Sequence, residues 1–256
     1  MDLNTIDWSM FTVDVDLSAS IVGNADTDPG IHTWWGSARY LVGAEAYDDE
    51  DRSDTDSSPR WNAAIDKGFA LSIDGDHDED YAQWTVLSMN GVIVDKYLMT
   101  HSIPNELDGM SADYGSMATI FRGNDFHPDL LEMIEGFGGR TILIDRAAIA
   151  PAWRGQGGIG RLLISRILRL ITADVAVVAT IPFPINLYRE CPEPTRHPRF
   201  DEERRRVRRT WESLGFSQYQ DGEVWVMDAV TLDHDEAVRE IEANLPGLQQ
   251  SVSNDQ

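Results

Sequence analysis

The stretch from Arg140 to Pro182 constrains the fold more than any other part of the chain. Residues 140–150 read as a strand, residues 158–172 as a helix, and residues 174–182 as a buried strand rich in valine and alanine. Two strands joined by one helix need a crossover, so the pair is expected to lie parallel. Ile159, Leu163, Ile167, Leu170 and Ile171 recur at helical spacing and predict the face that packs on the sheet. Between strand and helix runs Ile149-Ala150-Pro151-Ala152-Trp153-Arg154-Gly155-Gln156-Gly157-Gly158-Ile159-Gly160-Arg161. Its four glycines leave backbone N–H groups unscreened by side chains, at a point where a helix N-terminus adds roughly half a positive charge. Such a loop is an anion cradle suited to a phosphate or pyrophosphate.

Which anion it holds depends on the flanking residues. No Gly-Lys-Ser/Thr closes the loop, which excludes a nucleotide-hydrolysing P-loop. Gly155, Gly157 and Gly160 do fit the Gly-x-Gly-x-x-Gly spacing of a dinucleotide site, and Asp174 lies nineteen residues after the first. Against that, five residues including Pro151 separate Ile149 from the glycines, and Asp174 precedes the second strand instead of ending it. An NAD-dependent oxidoreductase is therefore the weaker reading.

The lead-in resembles the acetyl-CoA loop of the GCN5-related N-acetyltransferase (GNAT) superfamily, a strand ending in Val-x-Pro followed by Arg-Gly-x-Gly-x-Gly and a helix. Ile149, Pro151, Arg154, Gly155 and Gly157 fit that pattern in order, and one extra glycine brings the closing small residue, Gly160, one position late. Trp211-Glu212-Ser213-Leu214-Gly215-Phe216 is similar to the family's Tyr-Glu-Lys-Leu-Gly-Phe helix end, and a hairpin follows it as expected. The resemblance spans about residues 140–228. It implies a mixed α/β acyl-CoA N-acyltransferase fold, with a central, mostly antiparallel sheet containing a splayed parallel pair and flanked by helices. It also implies transfer of an acetyl group from acetyl-CoA, or of another acyl group from its CoA thioester, to a primary amine of a small molecule or peptide.

Under that resemblance Arg154 and the N–H groups of Gly155, Gln156, Gly157, Gly158, Ile159, Gly160 and Arg161 hold the pyrophosphate. The pantetheine extends along the strand, the N–H of Ile149 polarises the thioester carbonyl, and Asn186 follows the second strand on the cofactor side. An amine of lysine-like pKa, about 10.4, stands roughly three units above neutrality, so its deprotonation costs about 4 kcal/mol and a carboxylate should help. Asp145 is the candidate, with a simple ion pair to Arg146 or Arg140 as its other reading. Trp211 stands where the family often carries a tyrosine that protonates the departing thiolate. Tyr188 is a possible replacement or a structural tyrosine. Acyl-CoA binding without turnover, as a sensor or assembly module, is the runner-up function. Cys191 has no evident histidine partner and reads as an ordinary loop thiol.

Elsewhere the patterning is simpler. Alternation from Phe11 to Ile21 predicts a half-buried strand. Acidic and turn-forming residues over 24–30 and 45–58 predict surface loops, and Asp74 to Asp80 a solvated turn, since the glutamate of a calcium loop is missing and no other metal site is evident. Asn90-Gly91 predicts a tight hairpin between strands at Tyr81 to Met89 and Val92 to Met99. A short helix is expected over Asp129 to Phe137, an extended loop over the prolines from Pro182 to Pro198, and a helix over Phe200 to Leu214 with Gly215 as its cap. That helix begins with Asp201, Glu202 and Glu203 and carries Arg204, Arg205, Arg206, Arg208 and Arg209, a dipole-matched solvated face or a site for the CoA 3′-phosphate or an acidic partner. A hairpin around Asp221-Gly222 and an amphipathic helix over Asp235 to Leu245 complete the chain. The organisation expected is an N-terminal part with acidic insertions (1–80), an acyl-CoA-binding core (81–228), and a C-terminal helix and polar tail (229–256).

Charge excludes one large class of partner. The 256 residues include 44 acidic and 21 basic ones, a formal charge of −23. Such a field repels nucleic acid and attracts cationic amines. One cysteine, no apolar run of membrane-spanning length, and an opening Met1-Asp2-Leu3-Asn4 unlike a signal peptide together predict a soluble, cytoplasmic protein with no membrane partner.

Overall fold

The computed structural model describes residues 6–19, 28–41, 64–71, 83–136, 138–230 and 232–245. Three long strands, β1 (Phe11–Ala19), β2 (Ile31–Leu41) and β3 (Gln83–Asp95), form an antiparallel meander. The chain then crosses one face of the sheet with α1 (Ile103–Met110) and α2 (Ala112–Met117). Two short strands, β4 (Phe121–Arg122) and β5 (Asp125–Phe126), pair with each other, and one helical turn, α3 (Pro128–Leu131), follows. Next come β6 (Arg140–Ile149), α4 (Ile159–Ile171), β7 (Val175–Thr180), α5 (Phe200–Glu212), β8 (Ser217–Gln218), β9 (Trp225–Asp228) and α6 (Leu232–Asn244).

The result is a mixed α/β architecture around a seven-stranded sheet of order β1-β2-β3-β6-β7-β9-β8, antiparallel throughout except for β6 and β7. That parallel pairing runs from Arg140 to Ile144 on β6 and stops at Ile144 opposite Thr180, while β6 continues to Ile149. Beyond Ile144, β3 is the one strand partner of β6 among the described residues. One core, between the sheet and α4, gathers Trp34, Val86, Ile142, Ile144, Leu163 and Ile167; the other, under α1 and α2, gathers Val92, Leu107, Tyr114, Leu143 and Ala179. Helix α6 lies on α4 through Val238 and Ile241, reinforced by Arg166–Glu242 and Arg169–Asp235 pairs, each 2.6 Å.

Several expectations need correction. Asn90-Gly91 is not a turn: β3 runs through it without a break, and Gly91 keeps an ordinary strand φ. The register with β6 shifts there, from Asn90 opposite Arg146 to Gly91 opposite Ile144, so Asp145 is the extra residue of a β-bulge. Glycine is required because a Cβ at 91 would drive into the Leu143 carbonyl and stand 3.0 Å from Trp34 Nε1. The helix expected over Asp129 to Phe137 shrinks to the single turn of α3, with Leu131 and Met133 exposed. Leu170 is 59% exposed and belongs to the outer side of α4, not to its packing face.

Within the acidic segment 24–30, Asp28 is buried, the reverse of a solvated loop residue. Its carboxylate accepts from the N–H of Gly30, Thr100 and His101 and from Thr100 Oγ1, tying the start of β2 to the segment that leads into α1. The segments 45–58 and 74–80 lie outside the described residues. The parallel pair and the final hairpin stand where expected; α5 ends at Glu212, two residues short of the expected Leu214, and Gly215 (φ 92°) closes the turn that follows. No helix among the described residues is long and apolar enough to cross a membrane.

Candidate functional site

The glycine loop is fastened before it becomes open. Ala150 N–H donates to Val86 O at 2.8 Å, Ala152 N–H to Gly68 O at 2.9 Å, and the buried Trp153 donates its Nε1–H to Phe69 O at 2.9 Å. Three left-handed glycines follow: Gly155 (φ 69°), Gly157 (φ 59°) and Gly158 (φ 111°), the last forming the N-cap of α4. Residues with a Cβ adopt these conformations reluctantly, which accounts for the glycine density. The N–H of Arg154 is taken by Pro151 O and that of Ile159 by Gln156 O. Those of Gly155, Gln156, Gly157, Gly158, Gly160 and Arg161 have no acceptor among the described residues. Six of the seven expected amides therefore remain to meet an anion, while Ile159, like Arg154 before the glycines, contributes its N–H to the loop's own shape.

Two cationic side chains border this cradle. A Cβ on Gly158 would come 2.9 Å from Arg161 Nη2, so the Arg161 guanidinium lies against the loop. Arg154 Nε donates to Ile149 O at 3.0 Å. On Gly160, a Cβ would meet the tip of the Ile149 side chain at 2.7 Å, so the loop and the end of β6 lie in contact there.

The strand edge beyond the loop is open in a defined direction. Amide directions alternate along an antiparallel ladder, and Ala150 points to β3. Ile149 and Ala147 therefore aim their N–H groups at the opposite side, where β7 has ended its pairing. The crotch of the splay is closed by Thr180, whose Oγ1 donates to Ile144 O at 3.3 Å.

Asp145 stands one residue beyond that crotch. It accepts from Asn90 Nδ2 at 3.4 Å and faces Arg146 Nε at 3.5 Å, so of its two expected ion-pair partners Arg146 is present, while Arg140 pairs with Asp95. Its side chain remains 19% exposed. Tyr114 of α2, a core residue with no sequence signal, has its hydroxyl pKa pushed up, first by burial and then by the negative charge of Asp145. Asn186 and Tyr188 sit in a 3-10 turn (Ile185–Arg189) after β7 that packs against β6. Asn186 is half-buried without a partner among the described residues. Tyr188 is 53% exposed and stacks on Phe183, with ring centroids 5.6 Å apart. No hydrogen bond joins it to Asp145 among the described residues.

Trp211 is a core residue, packed edge-on against Phe216 at 4.9 Å. Cys191 donates to Glu193 O and lies apart from these groups. On α5, Arg206 pairs with Glu202 and Glu203, and Arg204 with Glu223. Those pairs account for Arg204 and Arg206; Arg205, Arg208 and Arg209 make no ion pair among the described residues. Asp28, His101 and Glu106 bring ligand-type atoms within 4.8 Å of one another, but the hydrogen bonds already saturating Asp28 make this a structural junction. No family model, curated protein or solved structure matches the chain.

Proposed function

We propose that the chain is an acetyl-CoA-dependent N-acetyltransferase of the GNAT type, acting on a primary amine of a small molecule or peptide. One observation carries this reading: the unpartnered amides at the head of α4 lead directly onto the edge of β6 that β7 leaves unpaired. A pyrophosphate suits the amides, and an arm bearing its own amide groups suits a free strand edge, where it pairs as an added strand would. Ile149 then offers a backbone N–H donor, fixed by β3, to a thioester carbonyl whose oxygen becomes negative during attack. Asp145 takes the amine's proton in this reading. The strongly acidic surface favours a cationic acceptor.

A dinucleotide site is less well supported, because β6 and β7 are the one parallel pair in an otherwise antiparallel sheet and Asp174 lies in a turn with φ 63°. Trp211 favours a second reading, an acyl-CoA-binding module without turnover, since a buried indole offers no useful proton to a thiolate. Calorimetric titration with acetyl-CoA and NAD separates the first two: binding of NAD alone would overturn the proposal. Screening amines, polyamines, aminoglycosides and peptide N-termini for CoA release separates the third. Turnover with any of them excludes a pure sensor.

A further inference from the structure

Resting on the acetyltransferase reading above, we propose that the acceptor is a linear diamine or polyamine whose second ammonium is held by Trp35 and Asp16 on one open face of the sheet. The direction of approach comes from the end of β6. The tip of the Ile149 side chain lies against Gly160 at the head of α4, so the helix occupies that side of the strand. An amine attacking a thioester carbonyl at the Ile149 N–H therefore arrives over the opposite face.

Register and side-chain alternation define what that face presents. Trp34 is buried in the core beneath α4, so Trp35 belongs to the other face, where it is 53% exposed. Directly opposite Trp35 stand Asp16 on β1 and Asn90 on β3, and Asn90 Nδ2 donates to Asp145, which brings Asp145 onto the same face. The adjoining row holds Ser37, Ser88 and Ala148. All three are small and half-buried, and the core under α1 and α2 lies farther along, at Val92 and Leu143. A low floor of small side chains thus runs from the end of β6 to an indole with a carboxylate beside it.

An indole face attracts an ammonium through its quadrupole, and an adjacent carboxylate adds to the attraction. Asp16 has no ion-pair partner among the described residues, whereas Asp14 stands 3.9 Å from Arg39. Arg146, at the far end of the row, is offset by Asp145 at 3.5 Å. One nitrogen of the acceptor is then free to react at the end of β6 while the other stays charged at Trp35. From the Ile149 N–H to Trp35 is two strand spacings across and about three residues along, roughly 14 Å. An extended chain gains about 1.2 Å per bond, so roughly nine to thirteen bonds separate the two nitrogens. A short diamine reaches one end only.

The test needs no turnover. Protein saturated with CoA is titrated calorimetrically with diaminobutane, diaminooctane and diaminodecane, each with an amine at both ends, and with octylamine. The longer diamines should bind about tenfold more tightly than diaminobutane or octylamine. Trp35→Ala should abolish that preference, Trp35→Tyr should restore most of it, and Asp16→Asn should reduce it about threefold. Trp35 is exposed, so its removal leaves the core filled, and thermal unfolding checks that it does. Where turnover is found, the loss in Trp35→Ala should fall on KM for the long diamines and not on kcat. Equal affinity for long and short diamines, or a preference that survives Trp35→Ala, overturns the assignment while the acyl-CoA reading stands. Octylamine binding as tightly as diaminooctane marks a merely apolar contact and also overturns it. Failure to bind CoA removes the underlying function and this assignment together.

Discussion

Gly91→Ala should be among the most damaging single-methyl additions to this chain. Gly91 pairs with Trp34 on β2 and Ile144 on β6, in the middle of the sheet. Its added Cβ would penetrate the Leu143 carbonyl and stand 3.0 Å from the indole nitrogen of the fully buried Trp34. Neither neighbour is a flexible tip: one is central-strand backbone, the other a large ring wedged between layers. Overpacking of this kind costs about 1–3 kcal/mol, and a displaced backbone places it at the upper end. For a chain of this size, about 3 kcal/mol lowers Tm by roughly 6–12 °C. Gly109→Ala is the internal control, since it lies exposed in α1 with nothing within 4 Å of its Cβ. Helix propensity alone should stabilise that variant by about 1 kcal/mol. Thermal unfolding followed by circular dichroism therefore has two substitutions of identical chemistry and opposite expected sign. A Gly91→Ala protein that melts with wild type or above it would refute the bulge as the reason for this glycine.

Other perturbations separate binding from folding. Gly157→Val should weaken acetyl-CoA binding about a hundredfold or more by calorimetry, because it removes charge-assisted bonds and forces a branched residue into φ 59°; unchanged affinity would detach the loop from the cofactor. Gly158→Val should additionally lower Tm, since its Cβ meets Ile241 of α6 at 3.2 Å as well as the Arg161 guanidinium. Burial by itself raises the Asp28 carboxyl, but the bonds from Gly30, Thr100 and His101 outweigh it and leave the pKa below its ordinary 3.8. Its stabilisation should thus be complete above that value and fade as pH falls through the lowered folded one, and urea midpoints across an acid series should lose this component in Asp28→Asn, along with about 2 kcal/mol near neutrality. Trp211→Phe should cost about 1–3 kcal/mol in the same assay with acetyl-CoA affinity unchanged, because the indole fills the core away from the loop.

The β6–α4–β7 unit was legible because its signals are local: a change of period, glycines at the switch and a run of β-branched residues. β2 was not, since Trp34-Trp35 breaks the alternation and Gly36 suggests a turn. In the fold Gly36 lies beneath Ile167 of α4, where a Cβ would come within 2.6 Å, so its reason is a contact distant in sequence. Asn90-Gly91 misled for the same cause, its glycine answering to Leu143 and Trp34 instead of to a turn. Helices α1 and α2 were obscured by Gly109, Ser111 and Gly115 in short segments. Of the candidate site, the glycine loop and Asp145 were readable in sequence. The burial of Tyr114 was not, because packing distant in sequence gathers it with Leu143 and Ala179.

The order of strands also governs how molecules of this protein meet. Among the described residues no strand lies beyond β1, so nine residues of backbone form a sheet margin to which a second chain could add. An antiparallel copy centred on Val15 would set Asp14 against Asp16 and Asp16 against Asp14, like charges directly across a ladder. That repulsion guards against fibrous self-association. It is strongest in dilute salt near neutrality; protonating the carboxylates or shortening the Debye length relaxes it, so acid and brine are the conditions in which light scattering should first register clustering.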